Sequence, residues 1–374
     1  MGEEFIKLMT KYEDYIVVSD EIYKLKVSSS DEIDKIYEVI KNKLIESNII
    51  SASRVFKMIE TAMKYNNRFT TSYISLLSKL TEEYGINKDK IKKYQKLYDL
   101  LSKNHLYHIV MNDDKKKFAS MMSEDTFDES QTVDSRLYPS NKLSLLELCC
   151  YYGSIQCFKL LLSEFDPDIT LDCLIYSFLG GNSEIISECL KCQKPDKYCM
   201  RNAIASHNID YISYIMYEYD EKINLITCAE FNNLPAFFAY FDRTKNYNEC
   251  YVASSLFNIK SLCEYFYSKC TDVNERYYNN TALLWAAQND CNESAEFLIK
   301  HGINVNLKDV IGYTALHLAA MKNNTEMINM LISNGADVNS KDNLNRTPLD
   351  IAETHKQEKA FELLKQEIIK SNKK

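Results

Sequence analysis

Apolar residues recur at helical spacing through the first hundred positions. Ser29 and Glu32 form a capping box ahead of Ile33, Ile36, Tyr37 and Ile40, which share one helical face. A second helix is predicted from Ser51 through Val55, Phe56, Ile59 and Met63. A third runs from Tyr73 to Tyr84 on Ile74, Leu76, Leu77 and Leu80, with Gly85 as its stop signal. A fourth spans Lys88 to Ser102. No longer period links these segments. They predict an all-helical head over residues 1–104, placed to cap the exposed apolar end of whatever stacks behind it.

Beyond the head a longer pattern takes over. Ala319–Ile332 shows a frame of two small residues, two variable ones, a turn pair and an apolar outer helix. The same frame starts again at Cys149, Ser177, Ala203, Cys228, Ala253 and Ala286. Its last three starts, Ala253, Ala286 and Ala319, lie 33 residues apart, whereas the earlier ones are closer. Both helices survive a shortening of that size if only the connecting loop is trimmed. Residues 105–270 therefore read as irregular helical pairs and 271–374 as regular repeats with a C-terminal cap. A weaker match begins at Ile109, with Phe118, Met121 and Met122 on its apolar face, and polar Ser123–Ser144 reads as a surface loop.

The regular repeats carry a motif. Thr281–Ala287, Thr314–Ala320 and Thr347–Glu353 share a T-x-L-x-x-A start, and His301–Asn306 and Asn334–Asn339 share a G-x-x-V-N end. A fixed 33-residue period with these residues in phase resembles the ankyrin repeat. Leu145–Gly153, Ser177–Asn182, Gln193–Asp196, Ala205–Asp210 and Phe257–Phe266 make the chain similar to a large trichomonad family of ankyrin-repeat proteins. Members of that family carry an uncharacterised helical domain ahead of regular repeats. The resemblance implies an all-α, ankyrin-type solenoid of helical pairs, with short β-hairpin loops in the C-terminal repeats. It also implies protein binding, with no partner named.

Under the same resemblance Thr281, Thr314, His317, Gly335 and Thr347 are structural. The threonines begin inner helices, His317 bonds neighbouring turns, Ala319 and Ala320 allow close helix approach, and Gly335 takes a left-handed backbone. Asn339 would tie hairpin backbone, and Trp285, in phase with Leu318, reads as core. Asp350 and Glu353 depart from the motif as a terminal capping repeat would. Contacts with a partner are expected from the hairpin tips: Tyr277, Tyr278, Val310, Ile311, Tyr313, Leu344 and Arg346. Met321 and Lys322 adjoin them on an inner-helix end. Two tyrosines and a Val-Ile pair at exposed tips are the aromatic and aliphatic anchors interfaces use.

Composition narrows the alternatives. A net charge of −8 argues against non-specific nucleic-acid binding. No apolar run is long enough to span a membrane, and the first residues lack a secretory signal pattern. The lysine runs at Lys115–Lys117 and Lys373–Lys374 read as solvated. All twelve cysteines fall between Cys149 and Cys291, as expected of reduced, buried thiols in a cytoplasmic chain. Cys189, Cys192 and Cys199 lack a spaced fourth ligand for zinc, and His105 and His108 lack an acidic or thiol partner. His207, the one histidine among the cysteines, falls in a repeat turn. No phosphate loop, nucleophile elbow or metalloprotease motif occurs. The reading is a non-catalytic scaffold without cofactor or metal, monomeric apart from a protein partner. The alternative makes the head an oligomerising or adaptor element, or an unrecognised enzyme, with the repeats for targeting.

Overall fold

The computed structural model describes residues 2–371, which leaves Lys373 and Lys374 outside it. The chain packs as two compact units, one reaching Tyr240 and the other beginning at Phe241. This division follows packing, whereas the division by repeat period follows sequence character.

The first unit opens with six head helices: α1 (Glu3–Lys11), α2 (Glu13–Tyr23), α3 (Ser30–Ile40), α4 (Ala52–Tyr65), α5 (Thr70–Tyr84) and α6 (Lys88–Leu101). The Glu32 N–H donates to Ser29 Oγ at 3.4 Å, the expected N-cap of α3, but the Glu32 carboxylate takes the Ser29 hydroxyl at 2.6 Å rather than the Ser29 N–H of a full capping box. Gly85 ends α5 in the left-handed region at φ 67°. Helices α1 and α2 had no predicted counterpart.

Helical pairs follow: α7 (His105–Met111) with α8 (Lys115–Met122), α9 (Leu145–Tyr152) with α10 (Ile155–Phe165), and α11 (Leu171–Gly180) with α12 (Ser183–Cys192). Then come α13 (Lys197–Ala205) with α14 (Ile209–Glu218), and α15 (Leu225–Glu230) with α16 (Leu234–Thr244). Inner helices α9, α11, α13 and α15 start on side-chain caps from Ser144, Thr170, Asp196 and Asn224. Each turns into its outer helix through a left-handed residue: Gly153, Gly181, His207 or Asn232. Adjacent inner helices close tightly at Gly180, where a Cβ would stand 2.1 Å from the Cys150 carbonyl oxygen and 2.5 Å from Gly153 N.

Two expectations about this unit need correction. Residues 123–144 are more than a surface loop: β1 (Thr132–Asp134) pairs antiparallel with β2 (Lys142–Ser144). Val133, Leu137, Tyr138 and Leu143 are buried, so apolar residues scattered in a polar stretch anchor it. Nor does the head cap an end. It bonds to the turns at His207 and Asn232 and to α9 at Tyr151 and Tyr152, while α7 packs on α9 and α8 on α10.

The second unit holds α17 (Tyr247–Ser254) with α18 (Lys260–Tyr267), α19 (Ala282–Gln288) with α20 (Asn292–Lys300), α21 (Ala315–Met321) with α22 (Thr325–Ser333), and α23 (Pro348–Thr354) with α24 (Glu358–Ser371). The fold is all-α and of the expected repeat type. Among the described residues of this unit, one connection forms paired strands, β3 (Arg276–Tyr277) with β4 (Asn280–Thr281). The connections over residues 301–314 and 334–347 are turns held by side chains instead.

Candidate functional site

Ankyrin-type arrays offer two surfaces, the face of the inner helices and the tips of the long connections. In the first unit the head already covers inner-helix turns. From α2, the Tyr15 hydroxyl donates to Asn232 Oδ1 at 3.1 Å and Asn232 Nδ2 donates to the Tyr23 hydroxyl at 3.3 Å. His207 Nδ1 lies 2.8 Å from Asp20 Oδ1 and Nε2 lies 2.7 Å from the Phe231 carbonyl. Both ring nitrogens thus face oxygen atoms of neighbouring elements. Tyr23 stacks on that ring, centroids 4.2 Å apart. Burial raises the Asp20 pKa, but His207 and then Lys24 outweigh it and hold the carboxyl below its ordinary value.

The end of α4 makes a second attachment. Asn67 is buried; its N–H donates to the Tyr151 hydroxyl at 3.3 Å and its Nδ2 to the Leu137 carbonyl at 3.2 Å. Its Oδ1 accepts from the Tyr152 hydroxyl, and Arg68 Nη2 donates to the Tyr152 carbonyl at 2.7 Å. Tyr65 meets Phe231 edge-on, centroids 4.7 Å apart. Between the two attachments remains a cleft of about 900 Å³, bordered by Tyr23, Tyr65, Arg68, Tyr152, His207 and Tyr211.

The second unit leaves its tips open. Asp309 Oδ1 accepts from the N–H groups of Ile311 (2.9 Å) and Tyr313 (2.8 Å). One period on, Asp342 Oδ1 accepts from Leu344 and Arg346, both at 2.8 Å. Each turn is therefore wound around an inward carboxylate, an Asx-type solution that replaces strand pairing. Neighbouring tips join where Asn343 donates from its N–H to the Ile311 carbonyl (3.1 Å) and from Nδ2 to the Val310 carbonyl (3.0 Å).

This winding sorts the tip residues. Tyr278, Val310, Ile311 and Leu344 are 62%, 68%, 51% and 71% exposed. Tyr277 and Tyr313, expected to be exposed, are buried instead. Tyr277 stacks edge-on against Tyr278, and its carbonyl accepts the Trp285 indole N–H at 3.0 Å. Tyr313 lies on His317 and accepts from Arg346 Nη2 at 2.9 Å. Arg346 is half-buried and also donates from Nε to Asp342 Oδ2 at 2.8 Å. Trp285, expected in the core, is half-buried because its indole edge serves that hairpin. Met321 is half-buried and Lys322 exposed.

The structural positions behave as the repeat requires. Thr281 and Thr347 cap α19 and α23, accepting from Leu284 N and Asp350 N. The Thr314 N–H donates to His317 Nδ1 at 3.2 Å, so the ring proton sits on Nε2 and is donated to the Arg346 carbonyl at 3.1 Å. Burial lowers the His317 pKa, only partly offset by that carbonyl and by Asp342. Asp350, in the His position, closes on its own Thr347 at 2.7 Å, and the chain runs on into α24. Gly335 takes φ 87°. Asn306, one repeat before Asn339, donates to the Gly335 carbonyl at 3.0 Å and accepts from the Asp337 N–H, tying one repeat to the next.

Groups weighed for chemistry do not converge. Cys189 is buried and Cys192 exposed, and among the described residues no three His, Cys, Asp or Glu side chains form a metal-capable group. Burial pushes the Cys149, Cys150, Cys157 and Cys228 thiols up, away from nucleophilic use; Cys173 moves the other way, chiefly through its hydrogen bond with Cys150. His108 Nε2 is taken by the Ser102 carbonyl at 2.9 Å. Among the described residues no helix is long and apolar enough to cross a membrane.

Stacked helical pairs with a 33-residue motif and wound tips define an ankyrin-repeat array. Residues 283–332 match the family model for ankyrin repeats (many copies), and 308–374 match that for ankyrin repeats (3 copies). Residues 165–240 match the domain of unknown function DUF3447. The chain thus carries DUF3447 followed by ankyrin repeats. The uncharacterised domain falls on the pairs from α11 to α16, not on the head. No curated protein matches the chain.

Proposed function

We propose that the chain is a non-catalytic scaffold that binds a protein partner through the tips of its regular repeats. One observation carries this reading. Tyr278, Ile311 and Leu344 stand 33 residues apart at equivalent tip positions, and all three are more than half exposed, with Val310 beside them. Ankyrin repeats imply a protein-binding module. Isolated exposed apolar residues are ordinary, but a register-locked row of them on a rigid array points to an interface.

The proposed surface also includes Met321 and Lys322, whereas Tyr277, Tyr313 and Arg346 support the tips through Trp285, His317 and Asp342. The proposal keeps three segments: a head (1–104), an irregular array (105–270) and a regular array (271–374). The head's role in it is structural, because Tyr15, Asp20, Tyr23, Asn67 and Arg68 are spent on the array's own turns. Free thiols throughout the array support a cytoplasmic setting, and a single copy of the chain suffices for the surface. The test is a set of serine substitutions at Tyr278, Ile311 and Leu344: they are expected to abolish partner recovery without unfolding the chain, and undiminished recovery would refute the surface.

The alternative, in which the head is an independent adaptor, has its own test. Residues 1–104 expressed alone are expected to lack cooperative unfolding. A folded, self-associating fragment would favour the alternative.

A further inference from the structure

We infer that the tip surface selects an acidic segment of its partner, one that interleaves apolar side chains with carboxylates. This inference rests on the reading of the tips as the binding surface and adds the chemistry of what they bind.

The charge pattern around the apolar row supports it. The tips over residues 275–280, 308–313 and 341–346 contain both signs of charge, yet the winding of the turns separates them. Asp309 and Asp342 point inward onto backbone N–H groups, and the Asp342 side chain is only 1% exposed. Arg346 is drawn in with it by Nε. The charged side chains exposed in these three segments are Arg276, Lys308 and Lys341, all cations, while Glu275 is half-buried. Lys308 and Lys341 are themselves one repeat apart, and Lys308 Nζ reaches the Lys341 carbonyl at 2.8 Å, which holds it along the row. A chain of net charge −8 thus presents a cationic border to this apolar row.

Complementarity of sign steers association and rejects wrong partners more than it adds affinity. Apolar anchors on Tyr278, Ile311 and Leu344 would supply the affinity, and Lys308 and Lys341 the choice of an anionic segment. A second copy of the same face is disfavoured, since it would set cation against cation. Nucleic acid is disfavoured too: three cations are few, and the apolar row offers nothing to a phosphate backbone.

The experiment uses the full chain and three labelled peptides that share one set of apolar residues and differ in carrying Glu, Gln or Lys between them. Fluorescence anisotropy is expected to show the Glu peptide binding tightest, weakened by salt. Lys341→Glu is expected to weaken it by about tenfold, with Lys308→Glu/Lys341→Glu reversing the preference toward the Lys peptide. The single variant guards against structural loss in the double one, because of the two lysine side chains it is Lys308 that reaches a neighbouring tip. Equal binding of all three peptides, no response to Lys341→Glu, self-association through the tips, or displacement of the peptide by nucleic acid would each overturn the inference. If no peptide binds while serine at Ile311 and Leu344 still costs the chain its cellular partner, the acidic segment is wrong and the surface stands. If those serine variants keep the partner, the surface itself is wrong.

Discussion

His317 Nε2 donates to the main-chain carbonyl of Arg346 at 3.1 Å, which ties one repeat's inner helix to the next repeat's tip. The same ring accepts the Thr314 N–H on Nδ1 and lies parallel to Tyr313, 3° between planes. One side chain therefore fixes the helix start, the buried tyrosine and the neighbouring turn together.

Protonating His317 would put a proton on Nδ1, against the Thr314 N–H. Burial already lowers its pKa below 6.5. The unfolded chain then takes up the proton first, so the contribution of His317 is fully present above about pH 6.5 and is lost as pH falls toward the lowered folded value. His317→Ala is expected to cost about 2 kcal/mol, since two buried backbone groups lose their partner. The chain has one tryptophan, Trp285, in the same unit, so its fluorescence in urea reads this change. A variant with unchanged midpoint and pH slope would show that the tie carries no stability.

Asp20 and His207 make the corresponding test for the head. The Asp20 pKa is lowered, so its stabilisation is present above its ordinary value of 3.8 and lost as pH falls through the lowered one. Asp20→Ala is expected to cost about 1–3 kcal/mol by leaving a ring nitrogen of His207 unsatisfied. Hydrogen exchange should quicken both in α2 and around Asn208–Tyr211. Faster exchange in α2 alone would show a head that opens independently of the array.

Two glycines separate close packing from backbone freedom. Gly180→Ala would drive a Cβ into the Cys150 carbonyl and is expected to destabilise by about 3 kcal/mol or more. Gly335→Ala meets nothing within 4 Å and bears only its left-handed backbone, φ 87°, at a cost of about 1 kcal/mol. Equal losses in thermal denaturation would contradict the tight approach of α9 and α11.

Much of this was legible in the residues. Helices α3 to α6 follow their apolar spacing closely, and every repeat frame from Cys149 onward contains a helical pair. Helix α2 does bury one face, on Tyr15, Ile16, Val18, Ser19, Ile22 and Tyr23, but its contrast is blurred because polar Ser19 lies on the buried face and apolar Val17 on the exposed one. The attachment of Asp20 to His207 spans 187 positions, beyond any local pattern. At the tips the sequence identified the exposed row but misjudged Tyr277 and Tyr313. Their burial follows from the turns around Asp309 and Asp342 and from the hairpin at Tyr278, whose backbone is left-handed at φ 49°.

The most direct measurement is a crosslinking pulldown from the native cell that compares the chain with its Tyr278→Ser/Ile311→Ser/Leu344→Ser variant. All three residues are exposed, so each substitution should change stability by no more than about 0.5 kcal/mol, and the Trp285 transition should stay in place. Loss of partners from a variant that remains folded is the expected result. Recovery of the same partners in full would contradict the tips as the binding surface and move function to the head and irregular array.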